Sequence, residues 1–407
     1  MNNIIVKKFG GSSLKNIDRI KNVANQIKKD YSKNKLVIVV SAMGNSTNEL
    51  IDMAKKISER PSKREIDMLL STGEQISISL LAIALQEIGC RSISLTGGQS
   101  GIITDSYHNK ARIAEIDTTR IKKELNDNNI VIIAGFQGVT ESLDITTLGR
   151  GGSDTTAVAV ASALNAKICE IYTDVDGIYT TDPRICPKSQ KLNEISYNEM
   201  LEFARQGASV LHPRSVEIAS KYNLPLIVKS SYEKKRGTKI MKETTMEKTL
   251  IRGIALDNNI NRITVTKVPD RPGIAFKLFS KLSNKNITID TIIQNLNHNK
   301  RNDISFTISD ESFDDSLEIC KKFSDQFEDT EVIFKKHVSK ISIIGTGISS
   351  NAQIASTYFE TLYELGINIE MISTSEIKIS CIISSENSKK AVNKIHEKFK
   401  LDKIDIH

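Results

Sequence analysis

The sequence lacks the features that would mark a secreted, disulfide-rich or membrane-spanning protein. Its cysteines are odd in number, far apart and without a Cys-x-x-Cys pair, so they predict neither a disulfide framework nor a zinc site: Cys90, Cys169, Cys186, Cys320 and Cys381. The N-terminal charges follow a short apolar run, which is not the order of a signal peptide. The longest apolar stretch, Ile76 to Ile88, is interrupted by polar residues and is too short for a bilayer. We therefore expect a cytoplasmic protein without a membrane partner.

Several common nucleotide-binding and metal motifs are also absent. The sequence contains no G-x-x-x-x-G-K-[ST] P-loop, no G-x-G-x-x-G opening a helix, and no H-R-D and D-F-G pair of the protein kinases. The six histidines include no H-x₃-H pair. We predict no protein metal site, so a divalent ion would arrive with a nucleotide.

Positive charge is in modest excess and is unevenly distributed. The chain has 407 residues, which predicts two to four domains, and its formal charge is +7. Residues 1–259 hold 36 Lys+Arg against 29 Asp+Glu, whereas residues 260–407 hold 20 of each. A basic excess can indicate nucleic acid, acidic lipid or an anionic ligand. Because no basic stripe interleaved with aromatic residues is present, the charge does not favour a nucleic-acid partner.

The first 230 residues alternate short β-rich runs with longer helical patterns. The predicted strands are Ile4–Phe9, Leu36–Ser41, Arg91–Leu95, Ile130–Ala134, Ile168–Tyr172 and Leu226–Lys229. The predicted helices are 16–30, 65–88, 118–128, 154–165, 196–206 and 214–222. This alternation predicts an α/β fold, a mostly parallel sheet between two helical layers. In such sheets, ligands bind at the carboxyl ends of the strands.

The C-terminal part contains an internal repeat after a polar, charged segment (232–249) that we interpret as a linker. Five residues recur eighty positions later: Leu282, Ile287, Ile289, Asp290 and Ile292 as Leu362, Ile367, Ile369, Glu370 and Ile372. Each copy predicts a split βαβ unit of the ferredoxin-like type. Because neither copy contains a catalytic-looking cluster, we expect a ligand-sensing or assembly role, with two purely structural modules as the alternative.

Three turns are rich in glycine or aspartate, and the first and third of them directly follow predicted strands. Lys8-Phe9-Gly10-Gly11-Ser12-Ser13 could cradle a phosphate with backbone N–H groups, but for Gly-Gly alone we favour an ordinary tight turn with a solvated lysine. Residues 147–156, with Arg150 and Asp154, lead into a helix, and there we favour a carboxylate- or phosphate-binding role. Residues 172–184 hold three aspartates and two tyrosines. They suit a nucleotide, while Asp176-Gly177 also predicts a β-hairpin.

These turns, in this order and before a repeated module, resemble the aspartate kinase family. Further blocks match its pattern: Ser41-Ala42-Met43-Gly44, Ser71-Thr72-Gly73-Glu74, Ala134-Gly135-Phe136-Gln137-Gly138 and Gly207-Ala208-Ser209-Val210-Leu211-His212-Pro213-Arg214. The C-terminal pair is similar to ACT domains, with Asp270-Arg271-Pro272-Gly273 heading the first and Ile372-Ser373-Thr374-Ser375-Glu376 in the second. The resemblance covers essentially the whole chain.

The resemblance implies transfer of the γ-phosphoryl of Mg-ATP to the side-chain carboxylate of L-aspartate, the first step towards lysine, threonine and methionine. It implies that Lys8 stabilises the phosphoryl group, that Asp154 orients Lys8, and that Arg150 binds the substrate α-carboxylate. The implied ATP-binding residues are Lys8, Phe9, Gly10, Gly11, Ser41, Thr173, Asp174, Tyr179, Asp182, Pro183 and Arg184. The implied aspartate-binding residues are Ser41, Thr47, Glu74, Phe136, Arg150, Gly151, Gly152 and Ser153. Glu74 suits the α-ammonium group.

The sequence departs from the family pattern in one place. Some relatives carry a nucleotide-contacting lysine in a Ser-Ser-Lys context after the last strand of the catalytic domain. Here the order is Lys229-Ser230-Ser231, so Lys229 is the candidate and the lysine that reaches the nucleotide remains open.

The resemblance also implies domains, regulation and assembly. It predicts a catalytic domain at 1–231, a first ACT module at 262–336, and a second ACT module built from 250–261 and 337–407. Lysine, threonine or both are the implied effectors. The positions expected to bind them are Asp270, Gly273, Ile274, Ala275, Gln294 and Asn295. The implied assembly is a homo-oligomer through the ACT modules, and the sequence leaves open whether a separate ACT-only subunit is also made.

Two other functions compete with this hypothesis. The first is a different small-molecule kinase of the amino-acid kinase fold, acting on glutamate, acetylglutamate, carbamate or a nucleotide monophosphate. Such relatives generally lack a tandem ACT tail. The second is a non-catalytic amino-acid sensor built on an inactive kinase, against which the presence of Lys8, Arg150 and Asp154 argues.

Overall fold

The computed structural model describes residues 3–208, 210–233, 235–242, 250–297, 301–348 and 350–403. Ser209 of one family block, Lys234 and residues 243–249 of the predicted linker, and the last four residues of the predicted second module lie outside the described residues.

The N-terminal domain contains two sheets and helices on both sides of the larger one. Its strands are β1 (Ile4–Phe9), β2 (Lys35–Val40), β3 (Ser92–Leu95), β4 (Ile102–Thr104), β5 (Ile113–Ile116), β6 (Ile130–Ala134), β7 (Gln137–Val139), β8 (Ile145–Thr147), β9 (Ile168–Thr173), β10 (Glu194–Ser196), β11 (Leu226–Ser230) and β12 (Thr238–Met241). Its helices are α1 (Ile17–Tyr31), α2 (Ser46–Ile57), α3 (Lys63–Glu87), α4 (Thr119–Asn126), α5 (Gly152–Ala163), α6 (Tyr197–Arg205) and α7 (Pro213–Lys221).

The larger sheet has eight strands in the order β10-β12-β11-β9-β1-β2-β6-β3. Every pair is parallel except β11 with β12. The strand β2 shows why this sheet forms: Leu36, Ile38 and Val40 belong to one buried core, and Val37 and Val39 belong to the other. A strand that is apolar on both faces must be covered by helices on both faces. The predicted α/β sandwich is therefore confirmed.

Four parts of this domain differ from the sequence-based expectation or were absent from it. The helix α2, the strand β10 and the small sheet, in the order β5-β4-β7-β8, were not predicted. The strand β12 lies inside the segment 232–249 that we interpreted as a linker, yet it pairs with β10 and β11. Buried Thr238 explains its position, because its hydroxyl donates to Leu192 O (2.6 Å) and accepts from Ile178 N–H (2.8 Å). Residues 238–241 thus extend the sheet beyond residue 231.

The helix α3 contains the apolar stretch around Ile76. Within the described part of the chain it is the one helix whose length and composition would allow a membrane crossing, and half of its most apolar window is buried inside the protein. A core helix of a soluble protein has the same properties. Here Ile78, Leu81 and Leu85 pack into the core beneath α1.

The C-terminal part forms one antiparallel six-stranded sheet with helices α8 to α11. The elements are β13 (Leu250–Pro269), α8 (Ile274–Asn284), β14 (Ile289–Asn297), β15 (Arg301–Ser309), α9 (Phe313–Ser324), β16 (Glu331–Thr346), α10 (Ala352–Glu364), β17 (Met371–Ser375), β18 (Lys378–Ser384) and α11 (Ser388–Lys398). The strand order is β14-β15-β13-β16-β18-β17. The first part of β13 pairs with residues 340–346 and the last part with residues 331–335, so residues 250–257 complete the second module's sheet.

The repeat places two acidic residues at equivalent positions, and each pairs with a base from the other module. Asp290 of the first module contacts Lys340 of the second, and Glu370 of the second lies 3.3 Å from Arg262 of the first. These crossed ion pairs lie where β13 and β16 pass from one module to the other, and they tie the two modules together.

Candidate active site

The carboxyl end of β1 lies at the centre of the larger sheet, between the ends of β2 and β9. The turn that follows is fixed on both sides, because Gly10 N–H donates to Tyr172 O (3.2 Å) and Gly44 N–H donates to Gly11 O (3.0 Å). The turn of the first glycine motif therefore sits where ligands bind in parallel sheets.

Lys8 and Asp154 form a buried ion pair beside this turn. The two side chains approach to 2.7 Å, and each residue is only 9% exposed. Asp154 lies in the first turn of α5, where a carboxylate is favoured by the helix N-terminus. The pair is close but poorly angled for a hydrogen bond, since Asp154 Oδ1 has no hydrogen-bond partner of acceptable geometry. The ammonium group of Lys8 is thus oriented while keeping capacity for an additional anion.

Glu74 enters the same region from α3. One carboxylate oxygen accepts from Ala42 N–H at 3.0 Å, and the other is buried without a hydrogen-bond partner. Burial raises the pKa of Glu74 to about 7, against the opposing effect of its backbone hydrogen bonds. A buried, unpartnered carboxylate oxygen is suited to a cationic ligand group.

The second glycine turn wraps around the start of α5. Gly151 adopts φ +68, and a Cβ added there would lie 2.3 Å from the side chain of His212, so only glycine fits. Phe136 also has a positive φ of 69, and its N–H donates to Thr156 Oγ1 (3.1 Å). Gly152 and Ser153 are buried at the start of the helix.

Arg150 lies at the tip of this turn and points outward. Its side chain is 89% exposed and lies 3.7 Å from Glu311 of the first ACT module. The structure therefore does not place Arg150 next to Glu74 or Lys8 in this conformation. Of the remaining predicted aspartate-binding residues, Ser41 donates its N–H to Phe9 O (3.1 Å) and Thr47 lies half-buried in the first turn of α2.

Three residues that sequence reasoning did not assign hold the turn in place. The guanidinium of Arg214 donates to Leu148 O (3.0 Å) and to Ala111 O (2.9 Å). Fully buried Asp67 accepts from Thr147 Oγ1 (2.5 Å) and from Asn109 N–H. His212 packs under Gly151, and burial lowers its pKa. Arg214 and His212 stood in a recognised block, but Asp67 stands in a helical run without any local signal.

The third motif lines a cavity of about 710 Å³ at the ends of β9 and β11. The lining includes five of the six nucleotide residues predicted within this motif, and Thr173 is the one outside it: Asp174, Tyr179, Asp182, Pro183 and Arg184. Asp182 is paired with Arg184 at 2.7 Å. Tyr179 donates to Asp176 (2.8 Å), and burial, followed by the Asp176 carboxylate, raises the pKa of Tyr179 to about 12. Tyr179 also forms an isolated β-bridge with Lys191, but Asp176-Gly177 lies before this bridge and does not form the turn of a two-stranded hairpin, so the expected hairpin is not found at this position.

Lys229 does not reach this cavity. Its ammonium group lies 2.5 Å from Glu170, which also lies 3.5 Å from Lys7. Burial alone would raise the pKa of Glu170, but the two lysines lower it below its ordinary value. Lys235 lines the cavity instead, and its ammonium group lies 3.8 Å from Asp176. Of the two lysines, Lys235 is therefore better placed than Lys229 to contact a ligand in the cavity.

The predicted effector positions lie together at one end of the first ACT module. Gly273, with φ +88, opens α8 directly before buried Ile274 and half-buried Ala275. Asp270 accepts from Asn302 Nδ2 (2.9 Å). Gln294 and Asn295 are exposed on the edge strand β14.

No cluster of three or more His, Cys, Asp or Glu side chains suited to a metal ion occurs in the described ranges. The donor set around Lys8 is instead one of backbone N–H groups, one ammonium and one carboxylate, which suits a phosphate that brings its own cation.

Comparison with known proteins agrees with this arrangement. A model of the amino acid kinase family matches residues 3–230, and a model of the ACT domain matches residues 341–399. An aspartokinase of Geobacillus stearothermophilus is 50% identical over 400 residues, which cover 98% of this chain and 97% of the relative. Aspartokinase 2 of Bacillus subtilis (strain 168) is 48% identical over 402 residues, covering 98% of both chains.

Two crystal structures of E. coli aspartokinase III are also similar. The complex with aspartate and ADP (R-state) superposes with a TM-score of 0.83 at 26% identity, covering 97% of this chain and 99% of that one. The complex with lysine and aspartate (T-state) gives a TM-score of 0.78 at 25% identity, covering 98% of this chain and all of that one.

Proposed function

The chain belongs to the aspartate kinase family of carboxyl-group phosphotransferases, and from that premise we propose that it transfers the γ-phosphoryl of ATP to the side-chain carboxylate of L-aspartate. The observation that supports this most directly is the buried Lys8–Asp154 pair beside the turn after β1, close to the end of β9 where the nucleotide loop begins. The product is 4-phospho-L-aspartate, which supplies lysine, threonine and methionine synthesis, and we place the reaction in the cytoplasm.

The proposed chemistry needs alignment and charge neutralisation more than a strong base. A carboxylate oxygen attacks the γ-phosphorus, the bond from phosphorus to the β–γ bridging oxygen breaks, and the electron pair leaves with ADP. No proton has to move, because the attacking carboxylate is already ionised at neutral pH. Mg²⁺ bound to the phosphates would neutralise part of their charge.

In this proposal the groups around β1 bind the phosphates and the nucleotide, each with a separate role. The ammonium of Lys8 stabilises charge on the transferred phosphoryl group, and Asp154 holds that ammonium in position. Backbone N–H groups of the Gly10–Gly11 turn complete the phosphate site. Thr173, Asp174, Tyr179, Asp182, Pro183 and Arg184 hold the nucleotide, with Lys235 in place of Lys229.

Substrate selection is assigned to the groups around Glu74. The unpartnered oxygen of Glu74 accepts from the α-ammonium group of aspartate. Arg150 binds the α-carboxylate, which requires its exposed side chain to turn inward from Glu311. Ser41, Thr47, Phe136 and Ser153 shape the remainder of the pocket.

One assay distinguishes this function from its competitors. ATP-dependent hydroxamate formation is measured with L-aspartate, L-glutamate and carbamate in parallel, with and without Mg²⁺. Turnover with L-aspartate alone supports the proposal. Preference for glutamate or carbamate would identify another kinase of this fold, and no turnover with any acceptor would indicate a non-catalytic sensor.

We further infer feedback regulation through the ACT modules, with lysine, threonine or both as effectors. The support is that Asp270, Gly273 and Ile274 meet at one helix start, and that a related E. coli enzyme has been crystallised with lysine. The edge strands β14 and β17 are open for assembly of a homo-oligomer or for an ACT-only subunit. Titration of both amino acids, singly and together, with light scattering of the same samples, tests effector and assembly. If neither lysine nor threonine inhibits the enzyme, the ACT modules have a purely structural role.

A further inference from the structure

Thr180 lies inside the loop to which we assign the nucleotide, and the inference made here rests on that assignment. It stands directly after Tyr179 and two positions before Asp182, and it is fully buried although both neighbours line the cavity. Its own side chain is not part of the lining. The contacts of Thr180 therefore determine where Tyr179 and Asp182 are presented.

The hydroxyl of Thr180 joins this loop to the last helix of the second ACT module. Its Oγ1 accepts from Gln190 N–H (2.9 Å) and lies 2.9 Å from Nε2 of His396 on α11. Which atom donates in the second contact depends on the imidazole tautomer. His396 is 1% exposed, so neither group has water as a substitute partner.

The backbone of the same loop is held by the second module at two more points. Thr180 O accepts from Ile254 N–H of β13 at 2.7 Å, and Ile185 O accepts from Asn393 Nδ2 of α11 at 3.0 Å. A Cβ added to Gly253 would lie 2.1 Å from Thr180 O, so strand and loop meet backbone to backbone. Ile254 also lines the nucleotide cavity.

We propose that His396 and Asn393 of the second ACT module are positioning residues for nucleotide binding, because they hold Thr180 and Ile185 in the conformation that presents Tyr179 and Asp182 to ATP. Neither residue lines the cavity. These two residues order the loop before the nucleotide binds. The entropic cost of ordering the loop is then not subtracted from the affinity for the nucleotide. Losing the buried bond leaves a polar group unsatisfied and shifts the loop towards other conformations.

The test separates nucleotide affinity from catalysis. His396→Leu removes the bond, whereas His396→Gln offers an amide at nearly the same position. We expect His396→Leu to raise the KM for ATP and the Kd for ADP about five- to tenfold, with kcat and the KM for aspartate within about twofold. His396→Gln should recover most of the affinity. Ile395→Val, a change in the same helix that faces the module's own core, is the matched control for loss of packing.

A second variant covers the case in which His396→Leu does not fold. Asn393 is exposed, so Asn393→Ala should fold and should weaken ADP binding in the same direction but less. The double variant Thr180→Val with His396→Leu should bind ADP no more weakly than Thr180→Val alone, because Thr180→Val already removes the bond to His396 together with the bond from Gln190 N–H.

Calorimetric binding of ADP is measured independently of aspartate turnover. If the wild-type protein binds ADP but does not phosphorylate aspartate, the proposed function fails while this inference is still tested by the variants. If ADP affinity in His396→Leu and Asn393→Ala equals that of the wild type, the inference is overturned whatever the substrate. Equal losses in Ile395→Val and His396→Leu would also overturn it, since general loosening of the module would then explain both.

Discussion

Nζ of Lys8 lies 2.7 Å from Oδ1 of Asp154, and this contact joins the central strand of the sheet to the first turn of α5. Lys7, its neighbour in sequence, points to the opposite face, where it contacts Asp30 and Glu170. Two adjacent lysines thus have different surroundings. We therefore expect replacement of Lys8 to lower kcat and replacement of Lys7 to leave it nearly unchanged.

Replacing Lys8 by Met should lower kcat about a hundred- to thousandfold, because the charge on the transferred group loses its stabilising ammonium. The variant should also lose stability, since Asp154 is left buried and unpaired. Adding Asp154→Asn should restore the melting temperature without restoring kcat. Steady-state kinetics and thermal melting of both proteins check this, and near-native kcat in Lys8→Met would refute the assigned role.

Lys7→Met is the matched control. We expect a lower melting temperature, because Asp30 and Glu170 lose a buried partner, but a kcat close to that of the wild type. A loss of kcat comparable to that of Lys8→Met would mean that the effect reflects the integrity of the sheet and not phosphoryl transfer.

The raised pKa of Glu74 predicts a pH-dependent affinity for aspartate. Since the pKa is about 7, Glu74 is largely protonated at pH 6 and cannot pair with the α-ammonium group. The KM for aspartate should therefore fall as pH rises from about 6 to about 8 and level off above it, while the KM for ATP changes little. Initial rates across this range check the prediction. A flat profile for aspartate would contradict it.

Glu74 should also destabilise the unliganded protein at high pH. Its pKa is higher in the folded than in the unfolded state, so its favourable contribution is present below pH 4.5 and is lost as pH rises through 7. The shift corresponds to about 3 kcal/mol at most. Glu74→Gln, which keeps an acceptor for Ala42 N–H, should raise the melting temperature at pH 8 but not at pH 4, while weakening aspartate binding. An unchanged melting temperature at both values would argue against a buried charge.

Arg214 should affect the aspartate site through the turn that carries Arg150. Arg214→Lys can satisfy only one of the two carbonyls, Leu148 O and Ala111 O, so the turn is held less firmly. We expect the KM for aspartate to rise about five- to tenfold with a smaller change in the KM for ATP. Arg205→Lys, which alters an exposed pair with Glu217, is the control and should change neither constant.

The contact between Arg150 and Glu311 should contribute little to the melting temperature but should affect the KM for aspartate. Both side chains are more than four-fifths exposed, so Glu311→Gln should leave the melting temperature unchanged. If Arg150 must leave Glu311 to bind aspartate, the same variant should lower the KM for aspartate, most clearly at low ionic strength. An increase in that KM would show that Glu311 assists binding.

The sequence alone was sufficient for the elements that local patterns specify. The apolar run at residues 36–41 predicted β2, which is buried on both faces, and the glycines after β1 and before α5 marked turns that lie beside the Lys8–Asp154 pair. The repeat predicted both C-terminal modules, although only the family resemblance implied that residues 250–261 contribute to the second. These predictions succeed because periodicity and turn chemistry act between residues close in the chain.

Only the tertiary structure decided the long-range contacts. The bond between Thr180 and His396 joins residues 216 positions apart, and the direction of Lys229 depends on Glu170 in the neighbouring strand β9. Asp67 holds the turn at Thr147 from eighty positions away without any motif of its own. Buried polar groups take whichever partner the packing of distant elements provides, and that packing is set by the whole fold. The residue types present were therefore determined by the sequence, but their partners were determined by the fold.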